Sequence, residues 1–411
     1  MAINFKRFFK RLDDINNLKN TSFEKIDINR IALTLEDKIA RDKIIKWMKN
    51  LNLTIKIDNI GNIFGFYNFN KNTKPLLLGS HIDTVRNAGR FDGSLGVIGA
   101  LEVLETLIKN NVTNKPIGIA IFTNEEGVRF TPDMMGSWSF TKRENINKIY
   151  KIKDNNNITI KDALKKIKYL GKEKQLFFKP RMFLELHIEQ GPILDIEKKN
   201  IGIVKGVQAI TWLKVVLFGK SNHAGTTPMS NRRDPIKVFG EVSSYINSFK
   251  SDRNQQMITI GSLNIEPNQV NVIANKIEFT LDIRNPNDKK LVQFENNLNK
   301  KIKELCFANN IKYKIDKLVN FPSVKFDKKI NKVIINKSKK LKYTYLELFS
   351  GAGHDAQMLA NICPTSMIFV PSEKGISHDS KENTKKSDIK KGLNLLYNVT
   401  KELLKEKSIK N

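Results

Sequence analysis

The sequence predicts an α/β fold into which a second, smaller domain is inserted. Two observations carry that prediction. Short apolar runs alternate with helical patterns over the first two-fifths of the chain and again near its end, as in strands joined by helices around a largely parallel sheet. Between them, residues 210–321 follow the order β-α-β-β-α-β, that of a ferredoxin-like split βαβ unit. The expected domains are residues 1–209 together with 322–411, and an insert over 210–321.

In chain order, Phe5, Phe8, Phe9 and Leu12 mark one face of an amphipathic N-terminal helix. Pro75 to Leu78 open a buried strand that runs into GSHIDTV. After Gly93, the residues Val97, Leu101, Leu104 and Ile108 share a helical face. PIGIAIF (116–122) reads as a second buried strand running into TNEEG, and RMFLELHI (181–188) as a third running into EQGP. In the insert, 212–218, 257–265, 277–283 and 311–318 read as strands. The segments 234–249 and 288–310 read as helices, and Pro235 suits a first helical turn. Near the end come a helix over 353–362, a strand over 364–370 and a closing helix over 385–406.

Composition excludes several classes. No apolar run approaches the ~18 residues of a membrane span, and MAINFKRFFKRLDD lacks the continuous apolar segment of a signal peptide. Cys306 and Cys363 form no CxxC pair, so neither a disulfide framework nor a thiolate metal site is expected, and a reducing cytoplasm fits. The 71 basic against 42 acidic residues give a net charge of +29, which raises the question of nucleic acid or an anionic membrane. The lysines are scattered rather than gathered in an arm, and no RNA-binding aromatic cluster, zinc finger or basic heptad is present. Compositional bias is the better account, so neither nucleic acid nor membrane is expected as a partner.

The chemistry lies in the histidines and acids. There are five histidines: His81, His187, His223, His354 and His378. Any one of them alone reads as a hydrogen-bonded structural residue; their joint placement does not. His81 ends one strand, with Asp83 two residues on and Asp92 eleven on. Glu125 and Glu126 follow the next strand, His187 ends the third, and His378 follows the last. In open α/β sheets these strand ends are where sites are built. Adjacent acids in a dry site repel unless a cation is present. His and carboxylate ligands suit Zn²⁺, Mn²⁺ or Co²⁺. Five ligands exceed one tetrahedral zinc with an open position, but fit two ions that share an aspartate.

The motifs GSHIDTVRNAGRFDGSLGVIGALE, FTNEEGVRF, ELHIEQGP, NHAGTTPM, VNVIAN with LDIR, SGAGHDAQ and PSEKGISHDS resemble the hydantoinase/carbamoylase family of metal-dependent amidases. That family sits within the aminoacylase/carboxypeptidase-like di-metal hydrolases. The resemblance runs from about residue 55 to about 400. It implies a di-metal exopeptidase-like catalytic domain with the insert as lid and homodimerisation domain. It implies that two divalent ions are held, one by His81 and His187, the other by Glu126 and His378, with Asp92 bridging. Glu125 is then the general base, Asp83 orients His81, and Gln190 lies near a substrate's ureido end. His223, Asn271 and Arg284 come from the insert. His223 can stabilise an oxyanion, and Arg284 offers a fork matched to a substrate carboxylate. Gly353 and its neighbours could present N–H groups to the same carboxylate. Each has a plainer reading: Arg284 in a surface pair, His223 bracing a loop, Asn271 in a hairpin turn. His354 reads as a support or as a cap for the helix near Asp355, not as a ligand. The sequence departs from the family pattern at Lys142 and Asn222, both commonly glycine there.

The implied reaction is hydrolysis of the carbamoyl C–N bond of an N-carbamoyl-L-amino acid or related ureido acid. Allantoate amidohydrolase is the alternative, and an aminoacylase or dipeptidase a more distant one. From another class, a basic binding protein on a retired hydrolase scaffold is the contrasting reading.

Overall fold

A computed structural model describes residues 2–17, 28–70, 72–112, 114–141, 144–249 and 256–405. The chain divides into two compact units, Met1–Lys205 with Lys325–Asn411, and Gly206–Val324. In chain order the strands are β1 (Thr54–Ile57), β2 (Ile63–Tyr67), β3 (Leu76–His81), β4 (Ile117–Phe122), β5 (Met182–Ile188), β6 (Ile201–Val207), β7 (Ala209–Phe218), β8 (Met257–Glu266), β9 (Lys276–Asn285), β10 (Lys312–Phe321), β11 (Val324–Lys325), β12 (Tyr345–Ser350) and β13 (Thr365–Val370).

The larger unit is built on a mixed sheet of order β1-β2-β4-β3-β5-β13-β6-β11, with β12 also on β6. Its centre, β4-β3-β5-β13, is parallel throughout. Every residue of these four strands is buried. That is why they read as unbroken apolar runs: a parallel sheet has helices on both faces. Along β4 the faces alternate. Ile117, Ile119 and Ile121 join the main core, whereas Phe122 meets Phe64, Phe140 and Phe183 on the other side. The helix Ser94–Lys109 is buried from Ser94 to Leu107. Its two acids, Glu102 and Glu105, are matched by Arg7 and Arg11 of the N-terminal helix Phe5–Asn16. Such buried charges persist only when paired. The helix expected over 353–362 is short, Asp355–Leu359, because His354 is extended and the 350–354 segment is tied by Ser350 Oγ. No described helix is long and apolar enough to cross a membrane.

The smaller unit is a four-stranded antiparallel sheet of order β10-β7-β9-β8. With the helices Pro235–Asn247 and Asp288–Ala308 it is a βαββαβ unit, so the α/β class with an inserted ferredoxin-like domain holds. Asp234 caps the first helix at Ile236 N–H, and Pro235 occupies its first turn. Strand β9 alternates, sending Ile277, Phe279, Leu281 and Ile283 to the core under the two helices. Trp212, Phe218, Met257 and Leu263 remain exposed on the neighbouring strands.

Candidate metal centre

Parallel strands end on the same edge of a sheet, so residues far apart in sequence meet there. His81 is the last residue of β3, and His187 the penultimate residue of β5. Glu125 and Glu126 leave β4, and His378 lies on the loop after β13. Asp92 precedes the helix Ser94–Lys109.

These residues form two groups that share Asp92. His81, Asp92 and His187, all buried, offer ligand atoms to one point; Asp92, Glu126 and His378 offer them to another. Asp92 Oδ1 lies 3.5 Å from His81 Nε2 and 3.2 Å from His187 Nε2. Its Oδ2 lies 3.2 Å from His378 Nε2, which is 3.3 Å from Glu126 Oε2. The imidazoles are set for this. His81 Nδ1 donates to the carbonyl of Asp83 at 3.0 Å, and His187 Nδ1 to that of Ile188 at 2.9 Å. With Nδ1 so committed, Nε2 is the atom each ring turns to Asp92 and, once deprotonated, its ligand atom; Gly93 N–H also approaches His187 Nε2 at 3.3 Å. Gly93 has φ +60°, and a Cβ there would sit 2.4 Å from His81 Cε1, so only glycine allows the approach.

The acids respond to one another. Burial raises Glu125 well above the usual carboxylate range, with Asp355, Glu126 and Asp92 adding like charge. Glu126 is pushed up to about 8 by burial and Asp92. Asp92 is well below its ordinary value despite burial, because three imidazoles hydrogen-bond it. Burial alone would lower His81, but Glu125, Asp92 and Asp83 hold it well above its usual value. His378 rises to about 9, first through its bond to Asp92. Glu126 Oε1 and Gln190 Oε1 are buried without a hydrogen-bond partner among the described residues. Repelling carboxylates, imidazole Nε2 atoms aimed inward and orphaned acceptor oxygens together fit a pair of divalent cations.

Glu125, Gln190 and Asp83 are also here. Glu125 Oε2 lies 3.5 Å from His81 Nε2. Gln190 has φ +61° and donates Nε2 to Asp92 Oδ2 at 2.8 Å. Asp83 meets His81 through its backbone. Its carbonyl orients His81, and its carboxylate accepts the N–H groups of Glu125 and Glu126, each at 3.2 Å. Gly353 packs close to Met134, with room for a Cβ only 2.9 Å from Met134 Cε. His354 makes no side-chain cap; its ring meets that of His187 at 4.7 Å, and Nε2 pairs with Ser350 Oγ at 2.9 Å. Lys142 lies outside the described residues.

In the smaller unit, His223 and Asn271 are neighbours: Ala224 N–H donates to Asn271 O at 2.9 Å, and His223 bridges Val272. His223 Nδ1 accepts from Gly225 and Thr226 N–H at 3.0 and 3.2 Å. Asn222, in place of the family's glycine, accepts His223 N–H on its own Oδ1 at 2.9 Å. Arg284 is gripped by Asp282 at 2.8 and 2.6 Å. The strand β9 separates Arg284 from the Asn271 loop, since Lys276 and Arg284 are ~26 Å apart at strand rise.

Sequence reasoning missed Glu185 and Glu382. Glu185, buried two residues before His187, accepts from Ser80 Oγ at 2.6 Å and Ala356 N–H at 3.2 Å. The same-face i, i+2 spacing on β5 was its available signal. Glu382 follows His378 by four residues in a loop without periodicity, and nothing in the sequence distinguishes it from a solvated acid.

Comparison with known proteins agrees with this architecture. Residues 77–402 match peptidase family M20/M25/M40. The chain is 32% identical over 377 residues to an N-carbamoyl-L-amino-acid amidohydrolase of Rhizobium meliloti, covering 91% of each. It is 32% identical over 376 residues to an allantoate amidohydrolase of Escherichia coli (strain K12), covering 90% of this chain and 91% of that one. A solved hydantoinase/carbamoylase family amidase from Burkholderia multivorans superposes with a TM-score of 0.92 at 33% identity, over 98% of this chain and 99% of that one. The chain therefore belongs to peptidase family M20/M25/M40, among its hydantoinase/carbamoylase amidases.

Proposed function

We propose that this protein is a di-metal amidohydrolase that cleaves the carbamoyl C–N bond of an N-carbamoyl-L-amino acid or a related ureido acid. The observation that carries the reading is Asp92, whose two oxygens serve two separate clusters of imidazole and carboxylate. His81, Asp92 and His187 hold one cation; Asp92, Glu126 and His378 hold the other. Bound there, Zn²⁺, Mn²⁺ or Co²⁺ supplies Lewis acidity and makes water acidic enough to deprotonate near neutral pH.

Glu125 takes a proton from the attacking water and returns it to the leaving nitrogen. A carboxylate beside the attacking water suits that shuttle. Water adds to the carbamoyl carbon, the bond to the amino-acid nitrogen breaks, and the released carbamic acid decomposes to CO₂ and ammonia. Asp83 keeps both glutamates in place through their backbone amides. Gln190, beside Asp92, faces the ureido group. Two N–H groups on His223 Nδ1 leave the ring's proton on Nε2, where it can donate to an oxyanion. Asn271 supports that loop. Arg284 and the Gly353 segment take the substrate carboxylate, with Asp282 yielding part of the Arg284 fork.

The smaller unit serves as lid and homodimer interface. Exposed Trp212, Phe218, Met257 and Leu263 support an interface role. The separation of His223 from Arg284 along β9 supports substrate contacts drawn from two copies. The allantoate relative at the same 32% identity keeps allantoate amidohydrolase as the second reading.

The test is a substrate panel on metal-stripped protein with Zn²⁺, Mn²⁺ or Co²⁺ restored. Metal-dependent turnover of N-carbamoyl-L-amino acids above allantoate is expected; the reverse order selects the second reading. Turnover of N-acetyl or peptidyl substrates alone overturns both. Arg284→Ala is expected to raise KM for carboxylate-bearing substrates and to spare analogues that lack the carboxylate.

A further inference from the structure

The loop that carries His378 is closed at its base by Glu373 N–H, which donates to Asn383 O at 2.8 Å. His378 itself is in the left-handed region at φ +57°, and its side chain is 49% exposed. A non-glycine residue keeps such a conformation only where its surroundings over-determine it. Four residues further along the same loop stands Glu382, a carboxylate with 3% exposure that faces the Asp92 segment. Its Oε1 accepts the N–H groups of Phe91 at 2.9 Å and Asp92 at 3.2 Å. Its Oε2 accepts the hydroxyl of Ser377, the residue before His378, at 2.9 Å. Ser377 Oγ is also 3.3 Å from Asp92 Oδ2, the oxygen that faces His378.

A second observation shows that the chain makes room for this carboxylate. A Cβ on Gly89 would lie 2.2 Å from Glu382 Cδ and Oε1, and 2.3 Å from Glu382 Cβ. The clash includes the root of the side chain, so rotating the carboxylate away does not relieve it. Gly89 is thus the cradle of Glu382, as Gly93 is that of His81.

The geometry points to Glu382 as a positioning residue that clamps the Asp92 backbone to the His378 loop, so that the Asp92–Glu126–His378 position holds its cation. The inference rests on the two-cation reading above. Glu382 touches no ligand side chain of the His81–Asp92–His187 position. Asp92 is common to both positions, but Ser377 faces its Oδ2, the oxygen of the outer position, while the inner position also rests on two imidazoles fixed by strand ends and backbone carbonyls. Removing Glu382 therefore weakens the outer binding event more than the inner one.

The experiment is a chelator-competition titration of the metal-stripped full chain with Zn²⁺, read as ions bound per chain and the affinity of each. Wild type binds two. In Glu382→Ala the weaker of two events falls by about 10–100-fold, the range for losing an outer partner of a metal site, while the other changes by a smaller factor. Gly89→Ala reproduces this pattern with Glu382 still present. Glu382→Gln, which keeps an acceptor oxygen for the two amides, restores most of the loss. Ser377→Ala removes one hydroxyl without opening a cavity. It moves the same event in the same direction and serves if the other variants fail to fold. Retention of both affinities in Glu382→Ala or Ser377→Ala overturns the inference. Equal loss of both ions, or Glu382→Gln as damaged as Glu382→Ala, overturns it too. Fewer than two ions in wild type sinks the two-cation reading itself, a result distinguishable from the others.

Discussion

The two clusters that meet at Asp92 are built in different ways. The inner one, His81 and His187 with Asp92, stands on the ends of adjacent parallel strands, and both imidazoles are 1% exposed. Backbone carbonyls fix their tautomers. The outer one, Glu126 and His378 with Asp92, hangs on loops, and His378 is half in solvent. The adjacent glutamates divide between them: Glu125 approaches His81, and Glu126 approaches His378. The lesson is that a sheet edge sets one half of the centre, while tethers set the other half. Occupancy of the outer half is then the property most open to pH and mutation.

The largest expected effect separates the paired acids. Glu125→Gln should lower kcat by roughly 10²–10⁴-fold, the usual contribution of a proton shuttle, with two ions still bound. Metal counting beside steady-state kinetics checks it, and wild-type kcat would remove Glu125 from the mechanism. His378→Ala is expected to leave one ion per chain, whereas His187→Ala disturbs the inner ion. If His378→Ala keeps two ions at wild-type affinity, the division into inner and outer positions is wrong.

Proton competition gives a smaller, graded effect. His378 holds its proton up to about 9 and Glu126 up to about 8. A cation entering the outer position must displace those protons. Its apparent affinity should therefore rise with pH by about tenfold per unit for each proton released, and level off above pH 9. Titrations at a series of pH values decide this; an affinity flat below pH 9 would contradict the sign. Smallest is Gly93→Ala. A Cβ there meets the His81 ring, so the metal-free protein should lose about 1–3 kcal/mol in denaturant melts, as overpacked sites do. An unchanged midpoint would mean that the ring moves freely.

The inner half of the centre was the more legible in sequence, for a physical reason. Strands buried on both faces leave continuous apolar runs, and a histidine at the end of such a run stands out. His81 and His187 are of this kind. The helix Ser94–Lys109 and the βαββαβ order of the insert were visible through their periods of 3.6 and 2. Loop-borne contacts leave no period. Glu382 sits among Lys381, Asn383 and Lys385, and its burial is a tertiary fact. Asp83 was visible as a residue, but which of its groups meets His81 depends on backbone geometry. The edge-to-face contact of the His354 ring with His187 was equally hidden, since helix capping and core support require the same residue at the same place.

The central claim is that Asp92 joins two cation positions in one chain. Its most direct test is the count of ions bound by metal-stripped wild type and by Asp92→Ala after titration with Zn²⁺ or Mn²⁺. Two ions in wild type, and loss of both tight sites in Asp92→Ala, are the predicted results. A wild type that takes up one ion or none, or an Asp92→Ala variant that still binds two tightly, would contradict it.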